Sequence, residues 1–331
     1  MKLEIYESPR QKTWDDLAAA RFSTVYHQSG WLNVLSAASR LPISRTLVDI
    51  DGEASIGLPF CVRQLGPLRA VLSPPPGFGI EYLGPMFGGR LGDSRRREKN
   101  WIEAMEGLLQ WIDERYHPGL VYVRGAPFVR DVRPFIWRAY RVKPLYTYRE
   151  DISLDPQRLL GQFDSSVRSD ILRTASKVEV RPGGRELLRE IHTFVAARYQ
   201  ATREKFGPSL SYLTSLYDEL GPTRFQPVGV HTERGLEGGA IVTFQGNEAA
   251  FWQGAIDPDH SRLPLTTHLI WQSIQLAKSR GCSRFELVGA NTRRLVAFKS
   301  KFAFDLESFF EADLAKGPAR LALAAYRRLG G

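Results

Sequence analysis

Cysteine is nearly absent from this chain. Its 331 residues include two, Cys61 and Cys282, far apart and each in an apolar, strand-like stretch. Two such residues make neither a disulfide framework nor a metal-ligand set, so a reducing, cytoplasmic setting is expected. Long hydrophobic runs are missing as well: no stretch of about 18 apolar residues could span a bilayer. The first seven residues, Met1-Lys2-Leu3-Glu4-Ile5-Tyr6-Glu7, are too mixed for a secretory signal. A soluble protein without a membrane span is the expectation. Low-complexity tails and internal repeats are not evident. Lysine is scarce, 10 residues against 35 arginines, yet the net charge is +9. That charge raises the question of a polyanionic partner. The basic residues are scattered, however, with a run only at Arg95-Arg96-Arg97, and a patch is better evidence than a total. Arginine-rich usage also follows from genome composition. DNA is not an expected partner.

The remaining composition, 43% hydrophobic and 24% charged, is that of a globular protein long enough for two domains. Periodicity predicts a helix over 28–39 and strands near 45–51, 54–63 and 69–72, with Asp51-Gly52 as a hairpin turn. Trp101, Ile102, Met105, Leu108, Leu109, Ile112 and Tyr116 share one face of a helix over 97–116, and a strand follows at 120–124. The first half therefore reads as a mixed α/β unit ending near Glu150. Asp155-Pro156 opens the second half as an N-cap with proline at the first helical position. Helices are predicted over 167–177, 186–206 and 209–220, strands over 225–231, 239–245 and 249–255, and a turn at Gly246-Asn247. A helix over 266–280, a glycine stop at Gly281, a strand over 284–288, a polar turn, a strand over 305–311 and a helix over 314–329 complete the pattern. Strands followed by a helix and further strands indicate α+β organisation, and the expected division is 1–150 and 151–331, with the C-terminal helix packed on the first domain.

The segment 265–310 carries the chemistry. A strand followed by the exposed amides of a helix start makes an anion site, aided by the helix dipole. Arg262, Thr266 and Thr267 are placed to add contacts to a phosphate; capping the helix explains the two threonines equally well. Asp257-Pro258-Asp259-His260 contains metal-ligand types, but no matching Cys or His cluster accompanies it, so no metal is expected. Lys299 stands between Phe298 and Phe302, which would hold its head while its stem packs; a snorkelling surface lysine reads the same way.

Three stretches give these segments a family likeness. Residues 249–255 (Ala-Ala-Phe-Trp-Gln-Gly-Ala), 285–290 (Phe-Glu-Leu-Val-Gly-Ala) and 298–303 (Phe-Lys-Ser-Lys-Phe-Ala) resemble the second domain of Fem-type acyltransferases. These form a branch of the GNAT superfamily of N-acyltransferases. The resemblance is strongest over 225–311. It extends to the basic helix Val167–Lys177, to Thr202–Gly207 with Tyr212-Leu213, and to His27–Leu32 and Tyr82–Met86 in a degenerate first domain. It implies an α+β fold of two tandem GNAT-like domains, each a mixed, largely antiparallel central sheet flanked by helices. Its implied activity is amide formation between an activated acyl donor and an amine, from a small molecule or a peptide. The lysine motif ends in Ala303 where the family commonly has glycine. The glycine-rich pyrophosphate loop of acetyl-CoA-using members is missing from 262–268, which favours aminoacyl-tRNA over acyl-CoA as donor, and so tRNA as a partner. No cofactor beyond that donor substrate is called for.

Within this resemblance Lys299 is expected to stabilise the oxyanion or a donor phosphate, and Glu286 to take the proton of the attacking amine. Arg168, Arg173, Lys177, Arg203 and Lys205 are candidates for phosphate contacts, a solvated helix face being the competing view. Trp252, Gln253, Asn291 and Phe298 complete the expected substrate-binding set, with Trp252 also fitting a core or pocket-wall role. Three other readings stand beside this one: a non-catalytic GNAT-like module, a nucleic-acid-binding protein without chemistry, and an acyl-CoA-dependent acetyltransferase of exopolysaccharide or secondary-metabolite biosynthesis.

Overall fold

Two compact units divide the chain, one built from residues 1–76, 80–145 and 308–331 and the other from 77–79 and 146–307. The structure, a computed structural model, describes residues 2–88, 91, 97–202, 207–257, 259, 260, 262–317, 319 and 320.

In the first unit, β1 (Leu3–Glu7), α1 (Gln11–Ala18), α2 (Ser29–Ser39), β2 (Ile43–Ile50), β3 (Glu53–Leu65), β4 (Leu68–Ser73) and β5 (Met86–Phe87) precede α3 (Arg97–Tyr116). After α3 come β6 (Leu120–Gly125) and α4 (Arg133–Trp137). β7 (Arg141–Asp151) then runs out of this unit, and the second half of β13 (Asp305–Ala315) returns to it. The strand order is β1-β2-β3-β4-β6-β13, with β5 pairing β3. Every pair is antiparallel except β4–β6, which α3 joins as a parallel crossover. The predicted hairpin at Asp51-Gly52 has positive φ at both residues, 53° and 89°, the conformation of a type I′ turn. Met105, Leu108, Leu109 and Ile112 of α3 are buried against Ile56, Leu58, Val121 and Val123.

At the carboxyl end of that crossover the chain covers itself. Leu83 and Gly84 both donate their N–H groups to the Arg124 carbonyl, at 3.1 and 2.8 Å. A β-carbon on Gly125 would collide with the Phe310 ring. His27, fully buried, donates from Nε2 to the carbonyls of Leu83 (2.9 Å) and Gly84 (3.0 Å), while Nδ1 accepts from the Thr24 N–H at 3.0 Å. This pattern fixes the neutral Nε2–H tautomer.

The second unit begins in the last half of β7 and continues through α5 (Pro156–Gln162), α6 (Ser165–Thr174), β8 (Glu179–Pro182), α7 (Arg185–Ala201) and α8 (Leu210–Arg224). β9 (Phe225–Thr232), β10 (Gly235–Gln245), β11 (Glu248–Ile256), α9 (Leu265–Ser279), β12 (Arg284–Leu287) and α10 (Arg293–Lys299) follow. Its strand order is β7-β12-β11-β10-β9-β8, again with one parallel pair, β11–β12. Asp155 caps α5 as expected, accepting from Gln157 N, with Pro156 at the first helical position. Gly281 ends α9 at φ 80°: its N–H reaches Lys278 O and that of Cys282 reaches Ala277 O, the paired bonds of a Schellman motif. One sheet face (Ala240, Val242, Ala249, Phe285, Leu287) packs under α6 and α9 through Ile171, Leu269, Ile270 and Ile274. The other face meets α7 and α8.

Four local expectations need correction. The polar turn before Lys299 is the short helix α10, capped by the Thr292 hydroxyl accepting from Leu295 N. The helix expected over 314–329 begins later at best, because Leu314 and Ala315 belong to β13; residues 321–329 lie outside the described set. The basic helix stops at Thr174, short of Lys177. The short edge strands β1 and β8 are additions to the sequence reading. Ala303 takes the left-handed conformation, φ 56°, a region that favours glycine.

Burial lowers the His27 pKa from 6.5 to about 4. The unfolded chain takes up a proton as pH falls below about 6.5, whereas the folded chain resists until about 4, so folding stability falls across that window. Wild type should lose about 3 kcal/mol through this residue between pH 7 and pH 4. Urea unfolding at the two pH values, compared with His27→Gln, checks it; an equal pH dependence in the variant contradicts the assignment.

Candidate active site

The β11–α9–β12 crossover of the second unit opens a fork. The two strands pair from Glu248↔Arg284 to Phe251↔Leu287 and no further, although β11 continues to Ile256. A bulge contributes to the parting: the register against β10 shifts between Ile241↔Gln253 and Val242↔Phe251, leaving Trp252 without an opposite residue. Bulges bend a strand and re-aim its side chains. α9 begins at Leu265, at the carboxyl ends of these parallel strands, the position at which open α/β units bind ligands. Pro264 is its N-cap and offers no side-chain bond. Thr266 is exposed there and Thr267 buried, and Arg262 is exposed just ahead of them.

Lys299 is buried, and its ammonium donates to two backbone carbonyls, Val288 O and Gly289 O, the latter at 2.9 Å. Both carbonyls follow directly on β12, so α10 holds the far prong of the fork through a charge-assisted bond. The stem is thus packed, and the head is held by the protein's own backbone. Phe298 packs on the core with its ring 5.5 Å from Phe302. Asn291 binds the backbone of Tyr146 at both atoms, accepting from N at 2.8 Å and donating to O at 3.1 Å, which extends the β7–β12 ladder past its last residue pair.

Glu286 is buried on the face opposite α9. Oε1 accepts from the Thr147 hydroxyl at 2.7 Å, and Oε2 lies 3.8 Å from Arg149 Nε. Arg149, also buried, gathers two more carboxylates, Glu248 and Glu307 (3.1 Å), and Arg284 pairs with Glu307 in turn. Burial raises the Glu248 pKa, with Arg149 opposing the shift. Arg149, Glu248 and Glu307 escaped the sequence reading, because their positions share no motif and only the strand order brings them together.

Among the described residues, the basic candidates lie apart from one another. Arg168 donates to the carbonyls of Gly161 (3.1 Å) and Phe163 (2.6 Å), closing the end of α5. Arg173 pairs with Asp170 on the exposed face of α6 at 2.8 Å, and Lys177 is exposed beyond that helix. Arg203 and Lys205 lie outside the described residues. Trp252 is buried, donating from Nε1 to Gly79 O at 2.7 Å and packing on Phe225; Gln253, beside it, is half-buried. Among the described residues no His, Cys, Asp and Glu group could hold a metal, and no helix is long and apolar enough to cross a membrane.

Comparison with known proteins decides the fold. Residues 165–300 match the family model of the acetyltransferase (GNAT) domain. The structure of FemX superposes with a TM-score of 0.75 over 96% of this chain and 98% of that one, at 12% identity. The chain has a Fem-like GNAT fold. The C-terminal domain of a putative lysylphosphatidylglycerol synthetase from Agrobacterium fabrum also resembles it (12% identity, 95% and 94% coverage, TM-score 0.59). So does a tandem GNAT protein from the clavulanic acid biosynthesis pathway (14%, 96% and 99%, 0.54). Across its length this chain is α+β with two tandem GNAT-like folds, and the match to the acetyltransferase (GNAT) domain model lies within its second part. No curated protein sequence matches it.

Replacing Arg149 with methionine keeps the stem and removes the cation shared by three carboxylates, of which Glu307 retains Arg284. Breaking a buried ion pair from one side costs about 3–5 kcal/mol. Arg149→Met should show a loss of that size in urea unfolding, and Arg149→Met with Glu286→Gln a smaller loss than the two single changes added. A loss below about 1 kcal/mol in the single variant would mean the charges are solvated after all.

Proposed function

We propose that this chain is an N-acyltransferase that joins an activated acyl group to an amine, with aminoacyl-tRNA as the favoured donor. The parted strands β11 and β12, with the start of α9 at their mouth, carry this reading. An acyl chain laid between strand edges meets backbone groups that no neighbouring strand uses, and amides at a helix start favour the phosphates of its carrier. A carrier held there and an amine entering from the other side would react by proximity before any acid–base help.

Attack of the amine turns the donor carbonyl into an oxyanion. Lys299 places a fixed positive charge on the far prong, where it offsets that charge or a donor phosphate while keeping Val288 and Gly289 in place. Glu286, the last charged residue of β12 before the fork, is the group for the amine's proton. The carrier's ester or thioester oxygen or sulfur leaves with the electron pair. Pro264 has no N–H to offer, and side chains at Thr266 and Thr267 in place of glycines keep a pyrophosphate from the close backbone approach that glycine permits, which supports tRNA over CoA. Acyl-CoA remains the second reading, because a helix start suits phosphates of either carrier. Arg262, Thr266 and Thr267 stand at that start, and Arg173, Lys177, Arg203 and Lys205 are offered to the tRNA backbone.

The protein incubated with charged tRNAs and with acyl-CoAs, each with mixed amines, should consume an aminoacyl-tRNA and yield an amide by mass spectrometry. tRNA binding should weaken steeply with salt. Consumption of acyl-CoA alone selects the second reading; consumption of neither rejects both. Lys299→Met should lower turnover about a hundredfold or more while the protein still folds. Unchanged turnover would restrict Lys299 to its backbone role.

A further inference from the structure

On the face of β11 turned away from α9, the bulge sets Trp252 and Gln253 side by side at the fork. Trp252 is fully engaged by its bond to Gly79 O and by Phe225. Gln253 is different. It is half-buried, its amide makes no hydrogen bond among the described residues, and neither of its polar atoms is sealed from solvent. A carboxamide that no protein group engages and that solvent still reaches can exchange its water for the polar group of a ligand.

The surroundings of this amide are fixed by other bonds. Residues 77–79, which belong to the second unit, run past it as a short strap. Phe78 meets the Tyr212 ring edge-on at 5.2 Å, and Gly79 carries the carbonyl that Trp252 binds. Gly79 has φ 67°, and a β-carbon there would lie 3.0 Å from Gln253 Nε2 and 2.9 Å from Pro208 Cγ. Glycine at 79 thus lets the strap approach the amide without pressing on it. On the next residue of the strand, Gly254 O accepts from Arg198 of α7 at 2.6 Å, fixing the backbone that carries Gln253.

We propose that Gln253 reads the amine acceptor, selecting one that carries a neutral group with hydrogen-bond donor and acceptor side by side, such as an amide, next to its nucleophilic nitrogen. A carboxamide offers one oxygen acceptor and two N–H donors, and so matches another amide in both senses. Its setting excludes a role in holding the donor's phosphates, because it lies on the face opposite the α9 start. A bare alkylamine would leave the Gln253 amide unpaired, and sites built to hydrogen-bond a substrate reject analogues that lack the group. The proposal rests on the acyltransferase reading above.

Two matched pairs of acceptors test it: glycinamide against ethylamine, and β-alaninamide against propylamine, with the donor that wild type consumes. Wild type should prefer each amide by kcat/KM. Gln253→Leu should reduce that preference about tenfold or more, mainly through the KM of the amide member. Gly79→Ala, which pushes on Nε2, should move the preference the same way, and thermal melts establish that both variants fold. If wild type turns over both members but the preference is unmoved in Gln253→Leu, this proposal fails and the acyltransferase reading stands. If wild type consumes no donor with any amine, both fail together.

Discussion

The neutralisation of one buried guanidinium organises the second unit. Arg149 on β7 is surrounded by Glu248 of β11, Glu286 of β12 and Glu307 of β13, with Arg284 of β12 as a further cation. Two charges taken out of water repay their desolvation only in good geometry with other hydrogen bonds. Here the Thr147 hydroxyl supplies one of those bonds. Slipping any of these strands by one residue would send its charge to the opposite, apolar face. The cluster therefore fixes register where β11 and β12 are still paired, and the fork opens beyond it at Phe251↔Leu287. A site that requires two strands to part needs a firm point below the parting, and this network supplies it.

The closing segment was legible because its signals are local. Thr266–Arg280 carries a helical stripe, Gly281 is a stop, and both give the expected crossover. The lysine between aromatics was visible too, but the carbonyls it grips were not, since a backbone partner leaves no mark on the sequence. α10 escaped for a lesser reason: Thr292 followed by Arg293-Arg294-Leu295 is a capping signal, but seven residues are too few to show a period. The ion network was out of reach altogether, because Arg149 and Glu307 meet only after a sheet has been assembled between them.

Charge was the most ambiguous bulk property, and the structure shows how it is spent. Arg168, Arg280 and Lys278 donate to backbone carbonyls at or near the ends of elements. Such cations act as directional caps where helices and strands leave acceptors open. A guanidinium does this better than an ammonium, with several donors in a fixed fork. The excess of arginine over lysine therefore has a structural use in this chain, besides any it has towards an anionic partner.

Both units contain a parallel crossover, and among the described residues the chain covers the end of the first. In the first, Leu83 and Gly84 lie on the Arg124 carbonyl, His27 holds them there, and the Phe310 ring fills the space above Gly125. The chain itself takes the place a ligand would need. On the proposed reading, a molecule with two copies of one architecture has a stoichiometry of one: each polypeptide loads a single acyl carrier, and the sealed copy is free to diverge without affecting the chemistry of its twin.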